Sequence, residues 1–402
     1  MTRELIPPQR GRDGHGPVVH LTTAHAPNDN RIFLKECRTL AAAQFDVVLI
    51  APAYRGAAPA ADPTAPPVRV EAFPPAANRR RRMITLPFQV YRKAARQRGS
   101  VYHIHDPELV PVALLLKARR KARVVYDAHE DLAAQVLTKP WIPRPARQPV
   151  SRLAHVIERT AGRAFDLVVA ATPSIEEKYP QHKTVLVQNM PRLGELLAAD
   201  RRPFADRPRL AAYVGLLNAL RGAAEMLAAA SQFGQDDDFV LSVAGICDPP
   251  GLVDELAALP GADHLRILGV QSRPEVRRLL ADARVGVLPF LPAPNHLGCL
   301  PTKLFEYMAA GLPVVASDLP GVREVITSTR CGLVVDPRRP REFADAIRFF
   351  LDNPENAEVT GQRGLRAVES TYNWAQEAER LVTAYARLFR GAPAADGIVV
   401  SA

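Results

Sequence analysis

The chain has 402 residues, too many for a single hydrophobic core, and its 47% apolar content excludes a disordered polymer. Its longest apolar run, near Leu109–Leu116, is interrupted by a proline and falls short of the roughly 20 residues that cross a bilayer. The formal charge is +10, but aromatics make up only 6% and no nucleic-acid module is legible, so the basic surplus points to phosphorylated substrates or acidic lipid.

The first sixteen residues hold Pro, Gly and charge without a secretory core. Cys37, Cys247, Cys299 and Cys331 are scattered, with neither metal-ligand nor disulfide spacing. Both features predict a cytoplasmic protein with reduced thiols.

From Pro17 the chain alternates apolar strands with helical patterns. Strands are predicted at 18–21, 46–50, 68–73, 101–105, 123–128, 167–171 and 184–189, apolar on both faces as helix-covered parallel strands should be. A Pro- and Arg-rich stretch then reads as a linker. A second series follows at 209–215, 239–245, 264–269, 284–290, 313–317 and 332–336, and three helical patterns end the chain. The predicted fold class is α/β: two Rossmann-like, doubly wound parallel-sheet domains facing a cleft. The predicted boundaries are a flexible segment 1–16, an N-terminal domain 17–192, a linker 193–208, a C-terminal domain 209–373 and a flexible tail 391–402. Ligands of such sheets bind at the carboxyl ends of the strands.

The stretch PTKLFEYMAAGLPVVASD (301–318) sets Lys303 and Glu306 three residues apart in an otherwise apolar helix. A strand and a Pro-rich loop precede it, so its N-terminus is expected at the cleft, where free N–H groups and the helix dipole attract phosphate. Lys303 adds a charge. Glu306, one turn deeper, repels phosphate and suits ribose hydroxyls. The competing reading is an exposed ion pair of little energy.

In the N-terminal half, HIHDPE (103–108) puts His103 and His105 on one face of a strand and delivers His105, Asp106 and Glu108 to its end. YDAHED (126–131) delivers Asp127, His129, Glu130 and Asp131 in the same way. His-x-His without cysteine partners is a poor metal signature, and no metal site is expected. In HAPNDNRIF (25–33), Asn28 or Asn30 caps a helix starting near Arg31, or Asp29 and Arg31 bind acceptor or phosphate. The run Arg79, Arg80, Arg81, Arg82 reads first as a solvated surface and second as a patch for an anionic or lipid-phosphate acceptor at a membrane face. Asp236–Asp238 reads as a solvated turn.

In combination, PTKLFEYMAAGLPVVASDLPG, HAPNDNRIFLKE, VYHIHDPELVP, VVYDAHEDL, YVGLLNALRG and YNWAQEAERL resemble the retaining GT-B glycosyltransferases of family 4, over roughly 17–389. The resemblance implies a donor-binding C-terminal domain, an acceptor-binding N-terminal domain and a final helix, about 374–390, that crosses back. It matches Glu306 to the second Glu of a Glu-x7-Glu motif whose first place is held here by Gly298. Arg221 matches a residue that contacts the diphosphate, and Leu216 stands where a second basic residue is usual. The donor set expected is Gly215, Leu216, Arg221, Gly245, Val270, Gly298, Leu300, Thr302, Lys303, Leu304 and Glu306. On the acceptor side stand His25, Asp29, Arg31, His105, Asp106, Glu108, Tyr126, His129 and Glu130. His129 sits where a family histidine approaches the transferred sugar, so the catalytic set expected is His129, Arg221, Lys303 and Glu306. The implied reaction moves a sugar from a UDP- or GDP-sugar to a small-molecule, glycan or lipid-linked acceptor with retention, with no cofactor or metal required and no nucleic-acid partner. The rivals are a sugar-nucleotide epimerase of the same architecture and a non-catalytic nucleotide-sugar or glycan-binding protein.

Overall fold

The computed structural model describes residues 16–54, 65–139, 141–234 and 237–390. The predicted flexible ends, apart from Gly16, and Asp236 of the predicted acidic turn lie outside the described residues. The chain forms two compact units. One runs to Asn189 and takes the chain back from Glu377; the other is Met190–Gln376.

In the first unit, seven strands form a parallel sheet in the order β3-β2-β1-β4-β5-β6-β7. They are β1 Val18–Leu21, β2 Val47–Pro52, β3 Arg69–Phe73, β4 Val101–Ile104, β5 Arg123–Ala128, β6 Leu167–Ala170 and β7 Thr184–Leu186. The central strands are buried along their whole length, whereas the edge strand β3 is half exposed. Covering both faces with helices removes water from both sides of the pleat, so near-continuous Val, Leu and Ile runs are the stable choice.

In the second unit, six parallel strands are ordered β10-β9-β8-β11-β12-β13. They are β8 Leu210–Val214, β9 Val240–Ala244, β10 Leu265–Gly269, β11 Val285–Leu288, β12 Val314–Ser317 and β13 Gly332–Val335. In each sheet the strand order reverses beside its first strand, between β1 and β4 and between β8 and β11. The diverging connections at such a point leave a crevice at the carboxyl ends.

The stretch 193–208, expected as a linker, is instead packed into the second unit: Leu196 and Phe204 join its core. Arg207 is buried there because its guanidinium donates to the carbonyls of Arg202 (3.0 Å) and Ala283 (2.8 Å). Proline and arginine density thus marked irregular backbone with buried anchors rather than a free tether.

The final helix, Trp374–Arg390, lays Tyr385 against the first sheet, where its hydroxyl meets His103 Nδ1 at 2.8 Å. No described helix is long and apolar enough to cross a membrane.

Candidate functional site

Strand register builds the polar centre of the first unit. His20 of β1 is paired with His103 of β4, and His103 with Val125 of β5, so period-2 alternation sends His20, His103, His105 and Asp127 to one face. The helical segment Ile32–Cys37 closes over that face and adds Glu36. The imidazoles of His103 and His105 stack with centroids 4.5 Å apart, and His20 Nδ1 meets His105 Nε2 at 2.9 Å. Burial pushes the His20 and His103 pKa values well below the ordinary imidazole value, so both are neutral.

Asp127 is the hub. Its carboxylate accepts from Arg31 Nη2 (2.7 Å) and Nε (3.1 Å) and faces His105 Nδ1 at 3.0 Å. His129 Nδ1 stands 3.3 Å away, within ion-pair range but off the line of a directed hydrogen bond. Burial alone would raise the Asp127 pKa, yet Arg31 and the two histidines hold it well below the usual carboxylate range. The reciprocal effect overcomes the burial of His129 and lifts it to about 9, so this imidazole is cationic at neutral pH. Burial, and then the Asp127 charge, pushes the Glu36 pKa well above the usual carboxylate value, with Arg31 Nε at 3.1 Å opposing.

Three sequence expectations change here. Arg31, expected at the acceptor, is only 6% exposed and is consumed by Asp127, Glu36 and the Val187 carbonyl (3.1 Å), so it is a positioning residue. Asp29, not Asn28 or Asn30, caps the helical turn, accepting from the N–H groups of Arg31 and Ile32 at 2.9 Å each. Those bonds and His25, 3.4 Å away, outweigh its burial and bring its pKa to about 2. Tyr126 is buried in the core against Tyr179, although part of it reaches the cavity described next.

A cavity of about 530 Å³ opens at these strand ends. His25, His105, Asp106, Glu108, His129 and Glu130 line its polar side. Asp106 is held by Thr22 Oγ1 and the Thr23 N–H, both at 2.7 Å, and Glu108 by Thr23 Oγ1 at 2.7 Å. Thr22 and Thr23 carried no sequence signal, because their partners lie more than eighty residues away.

Among the described residues, one group has metal-ligand chemistry: His20, Glu36, His103 and His105 each offer an atom within 4.8 Å of the others. Two of these rings, His20 and His105, are also stacked and hydrogen-bonded to each other at 2.9 Å.

In the second unit, the helix Thr302–Ala309 begins after Pro301 with no side-chain cap on its first N–H groups. Lys303 is 7% exposed, its Nζ 4.9 Å from the Tyr213 ring centroid and 5.2 Å from that of Phe290. Burial and the neighbouring Arg221 lower its pKa to about 7, with Glu306 opposing. Among the described residues no ion pair joins Lys303 to Glu306, so the exposed-pair reading fails. Gly215, at φ +112°, makes room for this lysine: a Cβ there would stand 2.7 Å from Lys303 Cε. Arg221 donates to the Leu216 carbonyl at 3.0 Å and lies over Phe290. Gly222 needs its left-handed φ of +77°, and a Cβ on it would collide with the Pro289 carbonyl.

Glu306 is engaged: its Oε1 accepts from Arg273 Nη1 at 2.8 Å, and Arg273 Nε donates to Glu195 at 2.8 Å. Arg273 was invisible in the sequence because it opens a helix 33 residues away. Leu304, expected at the donor, points into the core with no exposure, and its N–H is spent on the Pro301 carbonyl. Gly245 touches the Gly215 backbone, Thr302 and Gly298 are exposed, Leu300 is half-buried against Gly321, and Val270 is 74% exposed.

Two doubly wound parallel sheets, one presenting an uncapped helix end beside a buried lysine and the other an acid–histidine centre, are the architecture of GT-B glycosyltransferases. The comparisons agree: residues 30–189 match the glycosyl transferase 4-like domain and residues 198–366 match glycosyl transferases group 1. The chain is a glycosyltransferase built from these two domain types.

It is 28% identical to alpha-maltose-1-phosphate synthase of Mycolicibacterium smegmatis over 298 residues, 66% of this chain and 75% of the relative. It is 25% identical to glycogen synthase of Mycobacterium tuberculosis over 301 residues, 73% of this chain and 70% of the relative. Among solved structures, sucrose-phosphate synthase from Thermosynechococcus elongatus superposes with a TM-score of 0.72 at 21% identity, covering 94% of this chain and all of that one. Anabaena HepE in complex with UDP-glucose gives 0.69 at 14% identity, covering 92% of this chain and all of that one. These two likenesses concern the fold.

Proposed function

We propose that the protein moves a sugar from a UDP- or GDP-sugar to an acceptor hydroxyl with retention of anomeric configuration, the second unit taking the donor and the first the acceptor. The observation that carries this reading is the Lys303 ammonium, held out of water beside Arg221 at an uncapped helix N-terminus, with a carboxylate one turn deeper.

When the anomeric carbon–oxygen bond breaks, negative charge collects on the departing diphosphate. Lys303, Arg221 and the first N–H groups of the helix stabilise it, an effect of roughly a few kcal/mol per well-placed donor. Those cations supply the charge for which a metal would otherwise be used. The acceptor oxygen attacks the face that the diphosphate leaves, and its proton passes to a diphosphate oxygen. Glu306, steadied by Arg273, accepts from the ribose hydroxyls. Cationic His129 is the hydrogen-bond donor that the first unit offers to a hydroxyl in its own cavity. Four unpaired cysteines suit a reducing compartment, the cytoplasm.

The test is thermal shift against UDP, GDP, ADP and dTDP. One ribonucleoside diphosphate is expected to raise the melting temperature most, and Glu306→Ala to weaken its binding roughly 10- to 100-fold. Unchanged affinity in Glu306→Ala would remove the ribose assignment. The stereochemistry is read separately, from the anomeric proton coupling of the product by NMR. Retention is expected, and inversion would call for a side-chain base such as Asp106.

A further inference from the structure

The wall of the first unit's cavity opposite its polar strand ends is apolar. Met83, Leu132, Val136, Trp141, Val150 and Leu153 line it. Two helices, Leu132–Thr138 and Arg144–Ala164, form most of this wall. They are fastened together: Glu158 accepts from the Leu132 N–H at 2.9 Å, and Ser151 Oγ donates to the Ala133 carbonyl at 2.8 Å.

A sugar would cover part of such a wall with its C–H face, but its hydroxyls find partners here only at Gln135 and Lys139. A molecule with a polar reacting end and a hydrocarbon remainder fits both walls.

The apolar character continues onto the surface. Ile84 is 74% exposed, Phe88 63% and Leu153 59%, with Met83, Trp141 and Val156 also exposed. Single exposed apolar residues are ordinary; here Met83, Trp141 and Leu153 line the cavity itself, and Ile84, Phe88 and Val156 lie close to cavity-lining residues in the chain. The arginine run, Arg79–Arg82, occupies the helix Arg79–Ile84 beside it. The Arg79 guanidinium lies 3.6 Å from the Trp141 ring centroid, and Arg82 pairs with Glu108 inside the cavity at 3.0 Å. Among the described residues no carboxylate pairs with Arg79, Arg80 or Arg81. Unpaired arginines next to exposed aromatic and aliphatic side chains form the pattern of a surface lying in the headgroup layer of an anionic bilayer.

From this juxtaposition we infer that the acceptor is an amphiphile with an anionic linker, presented from an anionic membrane on which this face rests. The hydrocarbon part enters along the apolar wall, the linker meets the arginine run, and the reacting hydroxyl reaches His129. The word acceptor rests on the transferase reading; the membrane contact does not, and the experiment separates the two.

Flotation of the full chain with vesicles is the first arm. Binding is expected to phosphatidylcholine vesicles containing a third phosphatidylglycerol, to weaken with salt, and to be absent on phosphatidylcholine alone. The double variant Arg80→Glu/Arg81→Glu is expected to bind roughly 100-fold more weakly, and Ile84→Ser/Phe88→Ser to bind more weakly as well. A parent-like melting transition of the first unit in both variants shows that they fold, and nucleotide affinity, read in the other unit, stays unchanged. Vesicle binding that ignores lipid charge or survives the arginine reversal overturns the inference, as does an absence of binding.

The second arm uses the emission of Trp141 in a Trp374→Phe background. Decyl phosphate below its micelle concentration is expected to shift it to the blue. A response equal to that of inorganic phosphate alone, or no response, excludes an amphiphile. A water-soluble acceptor used at the same rate with and without vesicles would likewise overturn the proposal. Loss of transferase activity alongside intact vesicle binding would instead count against the reaction assigned above.

Discussion

Asp127→Ala is expected to be the most damaging single substitution in the first unit. Removing this carboxylate takes from the buried Arg31 guanidinium its shortest ion pair, at 2.7 Å, and leaves it only Glu36, itself fully buried, and the Val187 carbonyl. Breaking a buried pair from one side typically costs about 3–5 kcal/mol. The melting transition of that unit should fall by roughly 6–20 °C, while nucleotide binding in the other unit is retained.

The isosteric Asp127→Asn separates fold from charge. The His129 pKa is raised from the ordinary 6.5 to about 9, so its contribution to stability is fully present below about 6.5 and is lost as pH rises through about 9. With asparagine at 127 the raising partner is gone, and both the alkaline decline in stability and that in turnover should move to lower pH. Asp127 itself is depressed, so its contribution holds above its ordinary 3.8 and disappears only as pH falls through a still lower value. Urea melts and the NMR titration of His129 across pH 6–10 read these effects. An asparagine variant with the parent's stability and an unmoved His129 titration would remove Asp127 from its position as hub.

Lys303→Met has the largest expected effect on chemistry. Loss of the ammonium should lower kcat by roughly 100- to 1000-fold, since it acts where charge develops. Stability should move the opposite way. The folded pKa, about 7, lies below the unfolded 10.5, so the cost of burying the charged amine is fully present below about 7 and is relieved as pH rises toward 10.5. The parent's second unit therefore gains stability across that window and the methionine variant does not, which makes the variant the more stable of the two at pH 6. A bound diphosphate favours the protonated amine, so nucleotide affinity should decline above pH 7 in the parent and stay flat in Lys303→Met. Calorimetric titration at pH 6 and pH 9 decides it. A parent affinity independent of pH would take Lys303 away from the diphosphate.

The strands were legible because the determinant is local. A parallel strand covered on both faces must be apolar at successive positions, and each predicted strand, from Val18–Leu21 to Gly332–Val335, stands within a few residues of its expected place. The uncapped helix end at Thr302 was legible for the same reason: a strand, a Pro-rich loop and a Gly-Pro exit are contiguous in the chain.

What the helix end is for was only partly readable. Lys303 is seated by Tyr213 and Gly215, about ninety residues earlier, and Glu306 by Arg273. In the other unit, His103 meets Tyr385 across 282 residues, and Arg31, read as a ligand, turned out to be bound to Asp127 across 96.

By itself, then, the order of side chains determined which segments become strand or helix and which strand ends carry acids, histidines and cations. Burial at a central strand dictates composition residue by residue, so that information survives in a linear reading. Only the folded chain decided which of those charges face one another, because a pKa and an ion pair depend on distance and desolvation. Both are set by strand register and by helices returning from far along the chain.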